Sequence, residues 1–329
     1  MLVDNPALRN YWYVVAESTD VDSTPRGVRL LGTDLVLYRP ADGAVVAAPD
    51  RCPHREAPLS AGRVELGRLV CAYHGWTFGD GGRCIRVPSA DAGTPVPPRS
   101  HLTTVHTVER YGLVWVCLGE PAAGIPEMPA EDDPAYRRIN SGVERWEASA
   151  TRMVDNFMDI SHFPYVHVGT FGLADRTEVP KITMEPLDAG YFGYRYEAEV
   201  ANESAAGASS SGLAAKVLTR VMTTGFTLPF TVRSTIRYET GLDHLLLLCS
   251  TPVDDVTSYF TFVVWRNDDF SVPGEEIIAF DRAIGAEDKA MLERIPGSLP
   301  LDLTATVSVQ ADKPSVEWRR QLAALLAGR

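Results

Sequence analysis

The sequence predicts an α+β chain, with an N-terminal antiparallel β domain followed by an antiparallel sheet backed by helices. Three observations lead there. The first ~120 residues carry short strand patterns broken by Gly and Pro, with no long amphipathic helix. A link with Pro121, Pro126, Pro129 and Pro134 then interrupts the chain. Beyond it, apolar residues at helical spacing alternate with longer strand patterns. A chain of 329 residues accommodates two domains, placed at 1–122 and 123–329.

In the first domain Val28–Tyr38 alternates and is rich in β-formers, Ala44–Ala48 follows an Asp-Gly turn, and Leu113–Leu118 reads as a buried strand. In the second, Trp146 to Ser161 predicts a helix, with Met153, Phe157 and Ile160 at intervals of four and three. Strands follow at Tyr191–Val200, Phe230–Tyr238, His244–Thr251 and Tyr259–Trp265, and helices at Gly274–Glu293 and Ser315–Ala327. The Ser/Ala/Gly stretch Ala201–Gly212 predicts a mobile loop.

Composition removes several function classes. The longest apolar run, around Leu245–Cys249, is strand-sized, so no membrane span is expected. Met1–Ala16 lacks a basic segment leading into an apolar core, and reads as mature cytoplasmic protein. A net charge of −12 argues against a nucleic-acid partner, which needs clustered Lys and Arg. Five irregularly placed cysteines make no disulfide framework and suit a reducing compartment. Cys84, Cys117 and Cys249 read as small packed hydrophobes.

Cys52 and Cys71 are different, because each has a histidine close by. Cys52-Pro53-His54 and Cys71-Ala72-Tyr73-His74 each offer one thiolate and one imidazole. Such a set holds zinc or a [2Fe–2S] centre. One ligand of each kind per loop suits a cluster with two cysteines on one iron and two histidines on the other. Here the sequence resembles the Rieske oxygenases, through Cys52-Pro53-His54-Arg55, Ala57-Pro58-Leu59-Ser60, Gly62 and Cys71-Ala72-Tyr73-His74-Gly75-Trp76-Thr77-Phe78. Glu56 stands where the ring-hydroxylating dioxygenases usually carry Gly. Pro53 and the Ala57–Ser60 run look more like the O- and N-demethylase branch. Tyr73 and Trp76 are expected to shield the cluster.

The second constellation is Asp155-Asn156-Phe157-Met158-Asp159-Ile160-Ser161-His162-Phe163-Pro164-Tyr165-Val166-His167. On a helix Asn156, Asp159 and His162 share one side. His167 lies ~140° further round a continuous helix. Pro164 is expected to end the helix near Phe163 and let His167 fold back. Two histidines and a carboxylate leave open positions at a mononuclear iron. The resemblance makes His162 and His167 the iron ligands and Asp159 a bridging carboxylate. It puts Asn156 at the site, with Asp155 as its rival. The third ligand is implied on a C-terminal helix, where Asp288 is chosen over Asp281, Glu287 and Glu293.

The resemblance further implies a Rieske domain joined to a helix-grip catalytic domain. It implies an oxygenase using O2 to hydroxylate or demethylate a small, aromatic or heterocyclic molecule. Monooxygenation is preferred to cis-dihydroxylation. No dinucleotide fingerprint is present, so NAD(P)H acts through a separate reductase or ferredoxin. A head-to-tail homotrimer is also implied. A Rieske electron carrier and a non-catalytic helix-grip binder are the rival readings. His101, His106 and His244 have no ligand partners at useful spacing. Phe226, Phe230, Phe262 and Trp265 are candidate pocket residues, and Arg233 and Arg237 candidate partners of a substrate carboxylate.

Overall fold

Apolar strands joined by tight glycine turns dominate the computed structural model, which describes residues 2–41, 43–91, 93–203, 207–208 and 211–328. Residues 204–206 and 209–210 of Ala201–Gly212, the expected mobile loop, lie outside the described residues. The chain forms two units, Met1–Ile125 and Pro126–Arg329.

The first unit holds three small sheets, all antiparallel. Tyr13–Glu17, Leu113–Cys117 and His106–Arg110 form one; Arg26–Leu30, Thr33–Tyr38 and Val46–Pro49 form another. The third joins Arg63–Glu65, Arg68–Val70, Thr77–Phe78 and Cys84–Arg86. The segment expected as one strand over Val28–Tyr38 is a hairpin. Its turn is Leu31-Gly32, both at positive φ. Primed turns match the right-handed strand twist, and here Leu occupies the position usually given to Asn or Asp. A buried cluster of Val36, Tyr38, Leu59, Leu69 and Phe78 includes Cys52 and Cys71, so the two loops carrying them are anchored in the core.

In the second unit one antiparallel sheet runs in the order Arg137–Asn140, Ser258–Arg266, Asp243–Pro252, Thr231–Arg237, Val217–Thr227, Phe192–Ala201, Glu185–Pro186. Glu144–Trp146 also pairs with Ser258–Arg266. The sequence patterns located four of these strands but missed Val217–Thr227. Its inward residues, Leu218, Arg220, Met222, Thr224 and Phe226, alternate apolar with polar and so hide the period-2 signal. In register, Phe226, Val232, Leu248 and Phe262 form one row across the sheet, and Met222, Ile236, His244 and Arg266 another.

The α-helices that bear on the site are α1 (Ala150–Met158), α2 (Phe163–Val166), α3 (Gly274–Leu292) and α4 (Lys313–Leu326). Ser149 Oγ caps α1 by accepting from Arg152 N at 3.3 Å. Met153, Phe157, Ile278 and Leu292 from α1 and α3 pack with Leu246, Leu248, Phe260 and Phe262 of the sheet. Full burial of a side chain such as Met153 stabilises by roughly 1.5–3 kcal/mol. Those contacts hold α1 and α3 against one sheet face, with a cavity between them. No helix among the described residues is long and apolar enough to cross a membrane.

Candidate functional site

The two cysteine loops of the first unit have the same backbone plan. Cys52 N donates to Ala57 O and Glu56 N to Cys52 O, each at 2.9 Å. Cys71 N donates to Trp76 O at 2.9 Å and Gly75 N to Cys71 O at 3.1 Å. The residue closing each loop is left-handed, Glu56 at φ 61 and Gly75 at φ 68. Each loop thus carries one cysteine and one histidine on the same backbone turn, with the two imidazole rings inclined at 70°.

Like ligands meet like. The buried Cys52 thiol interacts with that of Cys71, and the His54 and His74 rings lie 4.5 Å apart. Burial pushes the Cys52 thiol up to about 11, helped by Cys71, so its thiolate needs a compensating cation. His54 is held below its ordinary value by burial, then by His74 and Arg55, which keeps the imidazole neutral as ligation requires. Its Nδ1 is buried with no hydrogen-bond partner among the described residues. The four donors do not converge within 4.8 Å as a single ion would need. Paired thiols, paired imidazoles and an orphaned ring nitrogen fit a two-iron centre better than zinc. Trp76 stacks on His54 at 4.7 Å, and the ring of Tyr73, itself 63% exposed, lies tilted against His74 at 3.8 Å.

In the second unit α1 ends earlier than Pro164 suggested. Met158 O accepts from Tyr194 Oη at 2.8 Å, and Asp159 is extended at φ −90, ψ 150. Pro164 lies in the first turn of α2, where its missing N–H costs nothing. The break is made by Asp159. Its Oδ1 accepts from Ser161 N and Oγ, and its Oδ2 from His162 N. His162 and His167 then flank the single turn of α2. Gly172 lets the chain double back behind it, since a Cβ there would strike Phe163 O and His167 O.

The two histidines meet Asp288 of α3. His162 Nε2 lies 3.1 Å from His167 Nε2, and Asp288 Oδ1 lies 3.6 and 3.3 Å from them respectively. Each donor has an orienting partner. Asp159 Oδ2 lies 2.9 Å from His162 Nδ1, and Glu287 Oε2 lies 2.9 Å from His167 Nδ1. Thr170 Oγ1 donates to Glu287 at 2.7 Å, and Asn156 Nδ2 donates to Asp288 Oδ1 at 2.9 Å. With both Nδ1 atoms engaged by carboxylates, both Nε2 lone pairs face the same point.

The electrostatics favour positive charge there. Burial opposes an imidazolium at His167, but Asp288 and Glu287 more than offset it and raise its pKa. Burial likewise opposes charge on Asp159, yet hydrogen bonds from His162 and Ser161 hold its carboxyl below the ordinary range. A half-buried imidazole, a buried imidazole and a buried carboxylate form an open three-ligand face suited to non-haem iron.

The rival carboxylates fall elsewhere. Glu287 orients His167, Glu293 bonds the backbone of Glu147, and Asp281 lines the cavity two helical turns from Asp288. Asn156 lines the same cavity, while Asp155 faces Ser315 and Arg319. The cavity is small, with a volume of about 130 Å³. Phe157, Phe163, Phe171, Leu246, Leu248 and Phe262 supply much of its apolar wall. Of the four aromatics weighed as pocket residues only Phe262 lines it; Phe226, Phe230 and Trp265 are buried elsewhere. Arg233 pairs with Asp188 and Arg237 with Asp243, so neither faces it. His244, read as a surface or core residue, does line it, as does Arg220.

Comparison with known proteins agrees with both halves. Residues 11–109 match the Rieske [2Fe-2S] domain family and 146–328 the Vanillate O-demethylase oxygenase C-terminal domain family. Methylxanthine N1-demethylase NdmA of Pseudomonas putida is 32% identical over 328 residues, 96% of this chain and 88% of that one. Its structure with caffeine superposes with TM-score 0.85 at 30% identity, covering 99% of this chain and 93% of that one. Dicamba monooxygenase bound to dicamba gives TM-score 0.80 at 27% identity, covering 98% and 99%. A [2Fe–2S] domain joined to an oxygen-activating domain is the architecture of an iron-dependent oxidoreductase. The chain belongs to the Rieske non-haem iron oxygenases, within the group that contains N- and O-demethylases. It uses a [2Fe–2S] cluster, a mononuclear non-haem iron and O2, and a separate reductase or ferredoxin supplies its electrons. The electron-carrier and non-catalytic readings are thereby set aside.

Proposed function

We propose that the chain is the oxygenase component of a demethylase acting on a small aromatic or heterocyclic methyl ether or N-methyl compound. The observation that carries this reading is the convergence of His162, His167 and Asp288 on one wall of a largely apolar cavity. In overall balance R–O–CH3, O2, two electrons and two protons give R–OH, formaldehyde and water. One oxygen atom enters the methyl C–H bond and the other leaves as water.

In this reading Cys52, His54, Cys71 and His74 hold the cluster, and His162, His167 and Asp288 hold the iron. The cluster supplies single electrons and the iron supplies oxygen activation. The remaining work belongs to the chain. Asp159 and Glu287 hold the Nδ1 protons of the two histidines and so aim their Nε2 atoms. Asn156 fixes the rotamer of Asp288. Phe157, Leu248 and Phe262 exclude water beside the reacting carbon. Resemblance to the family supports a homotrimer in which Asp159 links one subunit's iron site to the next subunit's cluster. Five free, buried cysteines favour a reducing, cytoplasmic location.

Metal and sulfide analysis tests the assignment. Wild type is expected to hold about three irons per chain and His162→Ala about two, with the visible spectrum of the cluster unchanged. Equal iron in both proteins would overturn it. With a surrogate reductase and labelled O2, one labelled atom per turnover should appear in water. Both atoms in an organic product would instead establish dihydroxylation.

A further inference from the structure

The cavity has a second polar end. Asp281 precedes Asp288 by seven residues on α3, which places it ~10 Å back along the helix on the same face. Opposite it the sheet contributes His244 and, from Val217–Thr227, Arg220. None of the three has a part in holding the triad.

Arg220 is the unusual member. It is 3% exposed, with its guanidinium carbon 5.3 Å from the Tyr238 ring centroid and 5.8 Å from that of Phe171. Its Nε and Nη2 are buried without a hydrogen-bond partner, and no carboxylate pairs with it among the described residues. Arg233 and Arg266 are as buried, but each has a carboxylate, Asp188 and Asp268 respectively. A buried charge without a counter-charge is costly unless a ligand supplies one.

No neighbouring carboxylate pairs with Arg220 to fill that need among the described residues. Arg137 grips Asp268 at 2.7 Å, Asp268 accepts from Arg266 at 2.9 Å, and Arg266 Nη1 lies 2.8 Å from His244 Nδ1. An arginine only donates, so His244 Nδ1 is the acceptor and Nε2 carries the proton. That Nε2 lies 3.3 Å from Asp281 Oδ1 without the alignment of a hydrogen bond. Arg137 and Arg266 share Asp268, whereas Asp281 has only the approach of His244 and keeps its Oδ2 without a hydrogen-bond partner; with Arg220 included, three arginines face two carboxylates. One positive charge, that of Arg220, is therefore left over in the cavity wall.

We propose that Arg220 anchors the anionic group of the substrate, an aromatic carboxylate, and so selects aromatic acids over neutral heterocycles. Asp281 repels the anion from its own side and fixes which way the ring enters. The ~10 Å from Asp281 to Asp288 leaves room for one aromatic ring whose far substituent faces His162 and His167. This deepens the demethylase reading and rests on it for the identity of the reacting end.

Calorimetric titration of the holoenzyme with 3- and 4-methoxybenzoate and with the matching methoxybenzamides tests the proposal. At least one benzoate is expected to bind ten-fold or more tighter than its amide. Arg220→Met should bring that ratio to about one, a loss of about 10–100-fold in benzoate affinity. Without ligand, Arg220→Met should melt no lower than wild type, because it removes an unpaired buried charge. Amides binding as tightly as benzoates, no binding of either class, an unchanged ratio in Arg220→Met, or a markedly lower melting temperature would each overturn the proposal. Formaldehyde release, measured with a surrogate reductase, separates the two readings. Release from amides alone leaves the demethylase standing without the anion anchor. Arg220-dependent benzoate binding with no formaldehyde from any probe leaves the anchor standing without the demethylase.

Discussion

Asn156 and Asp155 are chain neighbours that face opposite ways. Asn156 Nδ2 donates to Asp288 Oδ1, so Asn156→Ala removes the group that fixes that carboxylate. Loss of an outer partner of this kind typically lowers metal affinity about 10–100-fold. We expect the mononuclear iron of Asn156→Ala to be lost on dialysis against a weak chelator that leaves wild type loaded. Asp155 points toward α4, where burial, opposed by Ser315 and Arg319, pushes its carboxyl up to about 6. The folded state thus binds this proton more tightly than the unfolded chain, whose carboxylates titrate near ~4. Stability is therefore lost as pH rises from about 4 to about 6, and stays lost above that window. Because the side chain is only partly buried, the discounted cost is about 1–2 kcal/mol at pH 8. Asp155→Asn should gain that much in urea melts at pH 8 and almost nothing at pH 4. The sequence brings both residues near the site and prefers Asn156 by family resemblance alone, since adjacent positions differ by ~100° and the cavity's side is not legible there.

At the scale of elements, the turn between His162 and His167 was read for the right outcome and the wrong cause. Pro164 was expected to stop the helix, yet α1 stops at Met158 and Pro164 sits in the first turn of α2. Pro164→Ala should therefore cost no more than ~1 kcal/mol and keep the iron, since no break depends on it. Asp159→Ala should release both the break and the His162 ring, with loss of mononuclear iron measured against intact cluster absorbance. The cluster loops show the same logic. Gly75 takes φ 68, and a Cβ there would also press on Pro88 at 3.2 Å. Gly75→Ala should destabilise the unit by about 1–2 kcal/mol, whereas Glu56→Gly, in the same conformation at φ 61, should be neutral or stabilising. Thermal melts followed at the cluster absorbance distinguish the two. Legibility failed wherever a side chain departed from its usual context. Leu31, Leu66, Tyr111 and Ala189 each take positive φ before a glycine, without the Asn or Asp that usually announces such a turn. The strand Val217–Thr227 was missed because buried Arg220 and Thr224 break the apolar alternation, so the residue now proposed as the anion anchor was never weighed. Ligand spacing survived because metal coordination demands residue types that few other roles require.

The whole molecule poses a question that neither unit answers alone, namely which cluster serves which iron. In the proposed head-to-tail trimer every interface is heterologous, so each subunit can act as donor to one neighbour and acceptor from the other. Two inactive variants separate this from transfer within one chain. Cys52→Ser lacks the cluster but keeps His162, His167 and Asp288; His162→Ala lacks the iron but keeps the cluster. Each pure trimer should be inactive. In trimers formed from equal amounts of the two, an iron site works only if its own chain is the first variant and its donor neighbour the second. Random assembly meets both conditions in about one quarter of sites, so co-expressed trimers should recover about a quarter of wild-type turnover per chain. Transfer within a chain allows no recovery at any mixing ratio, because no chain then holds both centres. Light scattering on the mixed sample confirms that trimers assembled. Turnover of about a quarter would then assign the electron path to the subunit interface, and zero turnover from intact mixed trimers would assign it to the single chain.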